Sequence, residues 1–365
     1  MMKQKLLLFF FSICFFGSMA ISQELTEKEQ AYRDSIAALN EENATIAASQ
    51  EAYNKGIELF NQKSFDKAIA SFKASIASDP NFTAAYYNKG VAENEASQYA
   101  AAAKTLTELI EKDASYSKAY FQRARAYQGT GEYAKAEVDY KKSIEIDPKN
   151  PNAYYNYGTL QFLQQDYDAA IKSFTTTIEL DGNLAYALND RGSCYRMKGD
   201  YKKAIVDYEQ AEKKNPNLAF ILNNIGTTKL KMKNHDGAIA SFNRAVSIDK
   251  NFHLAYNNRG ATQLERDRYD EALSDFEKCI SVNDKYAPAY ANIAAVKFKK
   301  EDYKGALIAA DKAIQLDKDY ATAYVNRGMI REMLRDMNGA CDDWEKAQEL
   351  GAETGGQYAS QNCGF

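Results

Sequence analysis

The sequence predicts an all-α chain made of one helix pair repeated nine times, on three observations. Small residues recur at Gly56, Gly90, Ala124, Gly158, Gly192, Gly226, Gly260, Ala294 and Gly328, each 34 after the last, with no insertion or deletion. Alanine stands twelve residues beyond each of them: Ala68, Ala102, Ala136, Ala170, Ala204, Ala238, Ala272, Ala306 and Ala340. With each unit numbered from 1, apolar or small residues fall at positions 4, 8 and 11, and again at 17, 20, 24, 27 and 28. Spacings of three and four share one helix face, so each unit reads as two amphipathic helices. A pair of this size cannot bury its own apolar face, so successive pairs must stack to make a core.

In chain order, Lys3 and Lys5 precede an apolar run from Leu6 to Phe16, and Gly17, Ser18 and Ala20 follow. A charged start, a short apolar core and a small-residue exit make a secretory signal peptide over residues 1–22. Cleavage after Ala20 or after Ser22 fits; Ser22 is preferred, leaving Gln23 first. The run is shorter than the roughly 20 residues a spanning helix needs. Cys14 follows bulky Ile13, which does not suit a lipidation signal. No later stretch approaches spanning length, so the mature chain is expected to lack a transmembrane segment and to be periplasmic or extracellular. Losing two lysines takes the formal charge from −4 to −6.

Residues 23–48 lie outside the register. Thr26 with Glu29 makes a capping-box pattern, and Ala31, Ile36, Ala38 and Leu39 give a weak apolar stripe. A short capping helix leading into the first unit is expected, because solenoid ends need polar covers; a flexible tether is the alternative. Nine units follow, at 49–82, 83–116, 117–150, 151–184, 185–218, 219–252, 253–286, 287–320 and 321–354, and 355–365 form a C-terminal cap or tail. Position 15 or 16 breaks each pair, as at Gly199-Asp200, Asp166 and Asp302, where the acid can cap the second helix. Pro80, Pro148 and Pro216 at position 32 stop it.

The chain holds 26 Tyr against two His, one Trp and five Pro. Position 4 takes Tyr86, Tyr120, Tyr154, Tyr256, Tyr290 and Tyr324, and position 17 takes Tyr99, Tyr133, Tyr167, Tyr201, Tyr269 and Tyr303. Their regular spacing marks them as packing residues.

The unit from Pro151, with Tyr154, Gly158, Tyr167, Ala170 and Phe174, resembles the tetratricopeptide repeat family in its large, small and aromatic positions. The resemblance covers 306 of 365 residues. It implies a right-handed superhelical solenoid of nine 34-residue helix pairs, with short capping helices at both ends and a concave groove lined by the first helices. Ala310 in place of an aromatic, and His235 and Met337 in place of Tyr or Phe, depart from the pattern and are expected to loosen local packing.

Position 7 is arginine in Arg123, Arg191, Arg259 and Arg327, and in those four units alone position 23 is aspartate: Asp139, Asp207, Asp275 and Asp343. The correlation predicts ion pairs joining first and second helices, within a unit or to a neighbour; shared ancestry of alternate units is the other account. Half-exposed pairs contribute only about 0–1 kcal/mol each, so their expected role is to fix geometry.

Beyond the leader the cysteines are Cys194, Cys279, Cys341 and Cys363. The first two sit on apolar faces two units apart, too far to pair, and read as small core residues. Cys341 starts the last second helix and Cys363 lies in the tail beyond it, so a disulfide is expected in an exported chain. The run Cys341-Asp342-Asp343-Trp344, with Leu350-Gly351 and Cys363, also resembles the endings of extracytoplasmic repeat proteins of Gram-negative bacteria.

As for function, 46 basic against 50 acidic side chains disfavour a nucleic-acid binder. His235 and His253 are too few for a multi-histidine metal site. No phosphate-cradling loop, metal-ligand cluster or nucleophile elbow occurs, so no cofactor, metal or catalysis is expected. Positions 2, 5, 6, 9 and 13 share the groove face by helical spacing. Position 6 reads Asn54, Asn88, Gln122, Asn156, Asp190, Asn224, Asn258, Asn292 and Asn326. A primary amide offers donors and an acceptor that match an extended peptide backbone. The row is similar to the asparagine ladder in the repeat arm of O-linked N-acetylglucosamine transferases, though no transferase domain is present. Asparagine is also common at this position in the family and can simply bond a neighbouring helix.

Position 5 is aromatic early (Tyr53, Tyr87, Phe121, Tyr155), amide in the middle (Asn189, Asn223, Asn257) and apolar late (Ala291, Val325). Position 9 is small at Thr159, Ser193, Thr227, Ala261 and Ala295, which would leave the groove floor open. The middle units are therefore the expected place of backbone capture, with the aromatic end as a side-chain pocket. Position 5 carries no lysine, so the basic grid that clamps acidic carboxyl termini is absent. The expected function is a non-catalytic scaffold binding a protein or peptide partner in the groove. The alternative is a spacer or self-associating assembly factor that uses its convex face or its 23–48 helix.

Overall fold

The computed structural model describes residues 2–180 and 185–363, with side chains from residue 26 onward, so the leader read at 1–22 lies outside the described side chains. Every described element is a helix, and the chain forms two compact units, Met1–Asn156 and Tyr157–Phe365. The first holds α1 (Met2–Asn61), α2 (Phe65–Ser78), α3 (Thr83–Glu95), α4 (Tyr99–Lys112), α5 (Ser117–Gly129), α6 (Tyr133–Ile146) and the start of α7 (Pro151–Leu163). The second continues with α8 (Tyr167–Leu180), α9 (Ala185–Met197), α10 (Tyr201–Lys214), α11 (Ala219–Lys231), α12 (His235–Ile248) and α13 (His253–Leu264). It ends with α14 (Tyr269–Val282), α15 (Ala287–Lys299), α16 (Tyr303–Leu316), α17 (Ala321–Met333), α18 (Met337–Glu349) and α19 (Glu353–Asn362). From Thr83 the first helices, and from Phe65 the second, start every 34 residues.

The break inside each pair has one cause. Position 15 is left-handed in all nine units, with φ from +57° at Lys63 to +80° at Gly131 and Gly199. A left-handed residue ends a helix because its backbone turns out of the right-handed path. Only Gly131 and Gly199 adopt it without a steric penalty. The next residue then caps the second helix where it can: Asp166, Asp200, Asn234, Asp302 and Asp336 each accept a backbone N–H three residues on. Between units, position 31 does the turning. The side chains of Asp79, Asp113, Asp147, Asn215, Asp249, Asn283 and Asp317 each accept the N–H two residues later. These turns end the second helices with or without the proline at position 32.

The segment 23–48 is not a separate cap. No glycine or proline interrupts residues 23–55, so α1 runs unbroken into the first helix of unit 49–82. Thr26 is therefore mid-helix and not at a helix start. Side chains 26–48 are all exposed, and burial begins at Ser49, whose hydroxyl meets Ser75 at 3.0 Å.

Within each pair the core is a small residue at position 8 facing the side chain at position 24. A Cβ on Gly226 would lie 2.5 Å from the Phe242 ring, and one on Gly56 the same distance from Phe72. Ala310 turns out to be compensated: it faces Ala294, both fully buried in one cluster with Ile293, Val296 and Ile330. In the second unit α9, α11, α13 and α15 each touch the next first helix, whereas no second helix touches another among the described residues. The first helices therefore line the inner face of that stack. At its end α19 covers α18: Tyr358 stacks on Trp344 at 5.3 Å, Ala359 is buried, and Cys341 is bonded to Cys363.

Two outcomes follow. Lys233→Gly or Glu301→Gly relieves a left-handed side chain and should raise stability by about 0.5–1 kcal/mol each, while Gly199→Ala should lower it by a similar amount, as read by denaturant midpoint. Cys363→Ser opens a 22-residue span, a loss of about 3 kcal/mol of constraint. Because units contact only neighbours, amide exchange should quicken in α18 and α19 and stay unchanged in α10.

Candidate functional site

The inner face of the second unit carries the amide row, and its geometry is set by bonds between successive first helices. Asn224 Nδ2 donates to Asn189 Oδ1 at 2.9 Å, Asn258 to Asn223 at 2.9 Å, and Asn292 to Asn257 at 3.0 Å. Position 6 of one unit thus bonds position 5 of the unit before. Asn326 ends the relay, where Ala291 has no amide, by donating to the Ala291 carbonyl at 3.1 Å. The position-5 amides are buried, with Asn189 6% exposed, Asn223 9% and Asn257 7%. They orient their neighbours and are not themselves a ligand surface, which corrects their expected role. Asn189 also donates to Asp190 at 3.0 Å. Asn224, Asn258 and Asn292 stay half-buried, each with one N–H and its Oδ1 beyond the relay bond. The sequence allowed these asparagines to bond a neighbouring helix, as they do; it did not single out positions 5 and 6, 35 residues apart, as the partners.

In the first unit the position-6 amides bond within their own helix or to the repeat before. Asn54 accepts from Gln50, Asn156 donates to the Asn152 carbonyl, and Asn88 donates to the Tyr53 hydroxyl at 2.9 Å. Gln122 is buried and accepts from Asn94 at 3.2 Å. The early aromatics are half-buried against neighbouring rings. Tyr53 packs on Phe72 and Phe82, Tyr87 on Tyr116, and Phe121 on Tyr140, at 4.9–6.2 Å between ring centres. Tyr155 is half-buried. Burial raises the Tyr87 and Tyr116 phenols above the usual range, so both stay protonated.

The floor opens instead between α15 and α17, where a cavity of about 160 Å³ is lined by Ala294, Ala295, Phe298, Met329 and Ile330, with Lys299 and Asn326 at its edge. Ala295 belongs to the small position-9 set; that its neighbours would enclose a cavity depended on packing.

The arginine units each hold a two-pronged ion pair. Nε and Nη2 of Arg123 reach Asp139 at 2.7 and 2.9 Å, those of Arg191 reach Asp207 at 2.8 Å each, and Arg259–Asp275 and Arg327–Asp343 repeat the geometry. Nη1 reaches back to position 25 of the preceding unit, at Thr107, Thr175, Asn243 and Asp311. One guanidinium therefore ties three helices. The aspartates are only 2–5% exposed, more buried than half-exposed surface pairs, so deleting one partner would leave a stranded charge costing about 3–5 kcal/mol. Donating hydrogen bonds to Asp207 and Asp275 raises the pKa of Arg191 and Arg259, which holds both fully charged. In unit 83–116 Lys89 takes this place, bonding Glu93 and Thr105. Burial pushes the free thiols of Cys194 and Cys279 up to about 12 and about 11, so both are inert. Among the described residues no group of three His, Cys, Asp or Glu side chains could hold a metal, and no helix is long and apolar enough to cross a membrane.

Known proteins place this architecture. The sequence matches no curated protein. In fold it is similar to a tetratricopeptide repeat protein from Parabacteroides merdae, at TM-score 0.56 and 22% identity over 68% of this chain and 99% of that one. It is also similar to yeast Tom70, at TM-score 0.50 and 14% identity over 86% and 95%, and to the anaphase-promoting-complex hetero-tetramer Cut9–Hcn1, at 0.54 and 17% over 82% and 58%. Profiles described as tetratricopeptide repeat match residues 53–120, 117–150, 139–172, 185–218, 221–252 and 253–286, together more than half of the chain. The chain belongs to the tetratricopeptide repeat family.

Proposed function

We propose that this protein is an exported, non-catalytic scaffold that holds extended protein segments against the inner face of its second unit, mainly by their backbones. The observation that carries the reading is the row Asn224, Asn258 and Asn292, each locked by the preceding unit and each keeping an N–H and an acceptor for a ligand. A peptide backbone presents both groups in alternation, and amides already held in place lose little freedom on binding it. Family membership supports protein interaction, and one structural neighbour, Cut9–Hcn1, is itself a complex of two proteins.

Export rests on the leader pattern, and the Cys341–Cys363 bond supports it, since such bonds persist in oxidising compartments. A second reading has one observation in its favour. The exposed stretch of α1 presents Tyr32, Ile36, Leu39 and Ile46 on spacings of four, three and seven, a seam that could serve assembly.

Peptide-array binding separates these readings. Asn224→Ala with Asn258→Ala should weaken capture of extended peptides about tenfold or more, while deleting residues 26–48 should leave it intact. Capture that survives the double variant but vanishes with the deletion would favour the assembly reading. Amino-terminal sequencing of the protein recovered from the cell envelope should begin at Gln23; a start at Met1 would sink the export proposal.

A further inference from the structure

We infer that the cavity between α15 and α17 anchors one apolar side chain of the bound segment, and that Lys299 beside it favours an acidic residue next to that anchor. This rests on the groove reading above and names which segments the groove prefers. The cavity measures about 160 Å³, and in general an apolar cavity of about 150 Å³ accepts a benzene-sized guest. A leucine, methionine or phenylalanine side chain therefore fits, and an alanine leaves it mostly empty.

The opening exists for a local reason. The amide relay stops at Ala291, and Ala294 and Ala295 are small, so nothing from α15 fills the floor. Phe298 and Ile330 supply fixed walls, for Phe298 is pinned edge-on against Tyr303 at 5.6 Å and Ile330 is 1% exposed. Met329 supplies an adaptable one.

The polar edge selects what accompanies the anchor. Asn326 spends one N–H on the Ala291 carbonyl, and its Oδ1 is left to accept a backbone N–H from the anchored residue. At this end of α15 three lysines stand close in sequence. Lys297 lies 3.8 Å from Asp302 and Lys300 bonds Asp270 at 2.6 Å, whereas Lys299 has no ion pair or hydrogen bond among the described residues. Its side chain lines the cavity, and its long flexible stem lets the ammonium meet a carboxylate flanking the anchor.

The test uses the full-length protein and labelled decapeptides of Ala, Ser and Gly: one plain, one with a central Leu, and two with that Leu preceded or followed by Asp. The Leu peptide should bind about tenfold or more tightly than the plain one, and an Asp neighbour should add about two- to fivefold at low salt. Ala295→Leu, which fills the cavity from a half-exposed site, should erase the Leu preference; Ala295→Ser should keep it. Lys299→Glu should erase or reverse the Asp gain alone. Equal binding of Leu and plain peptides, or a Leu preference that survives Ala295→Leu, overturns the anchor. An Asp gain that survives Lys299→Glu overturns the acidic half. Failure of every peptide to bind overturns the groove reading and this inference with it.

Discussion

The close approach of each first helix to its own second helix, small residue at position 8 against large side chain at position 24, is the contact on which the stack depends. A Cβ added at Gly226 would intrude on Phe242, and one at Gly328 on Trp344. Because a helix turns about 100° per residue, inserting one residue between these positions would swing the ring off the glycine and leave a hole. That is why the two positions stay sixteen residues apart in every repeat. Ala294 facing Ala310 shows the same constraint met with different side chains: the ring is lost, the glycine becomes alanine, and Ile293, Val296 and Ile330 complete the cluster. The last pair carries the largest ring, and α19 with its disulfide covers the side that a further unit would have covered.

Polar groups buried by that approach must find partners inside the stack. Alternate units meet this demand with arginine and aspartate, and the guanidinium spans its own second helix and the one before it. On the inner face the amides of positions 5 and 6 meet it for each other. What this internal satisfaction does not consume is the outer half of Asn224, Asn258 and Asn292, a cavity where the relay ends, and an unpaired lysine beside it.

Much of the fold could be read directly. The 34-residue recurrence located both helices of every pair, because the 3.6-residue turn and the apolar spacing are local properties of the chain. Arginine and aspartate recurring together already hinted at a contact sixteen residues apart. Other features were hidden for equally physical reasons. Left-handed φ at Lys63, Ser97, Gln165, Lys233, Asp267, Glu301 and Arg335 carries no glycine to announce it, and the surrounding packing imposes it. Thr26 with Glu29 looked like a helix start, yet nothing between 23 and 49 breaks the helix, so α1 simply continues.

The site divides in the same way. Which residues share the inner face follows from periodicity, so the sequence alone determined that Asn224, Asn258 and Asn292 stand in one row and that Ala295 is small. Whether an amide in that row is exposed or buried, and which partner takes its proton, depends on the distance between helices 35 residues apart in the chain. Only packing sets that distance. It turned Asn189, Asn223 and Asn257 from expected ligand contacts into buried supports, set the early aromatics against neighbouring rings, and opened the cavity at Ala294 and Ala295. Local chemistry wrote the repeats; the spacing between them, a tertiary quantity, decided which groups remain available to a partner.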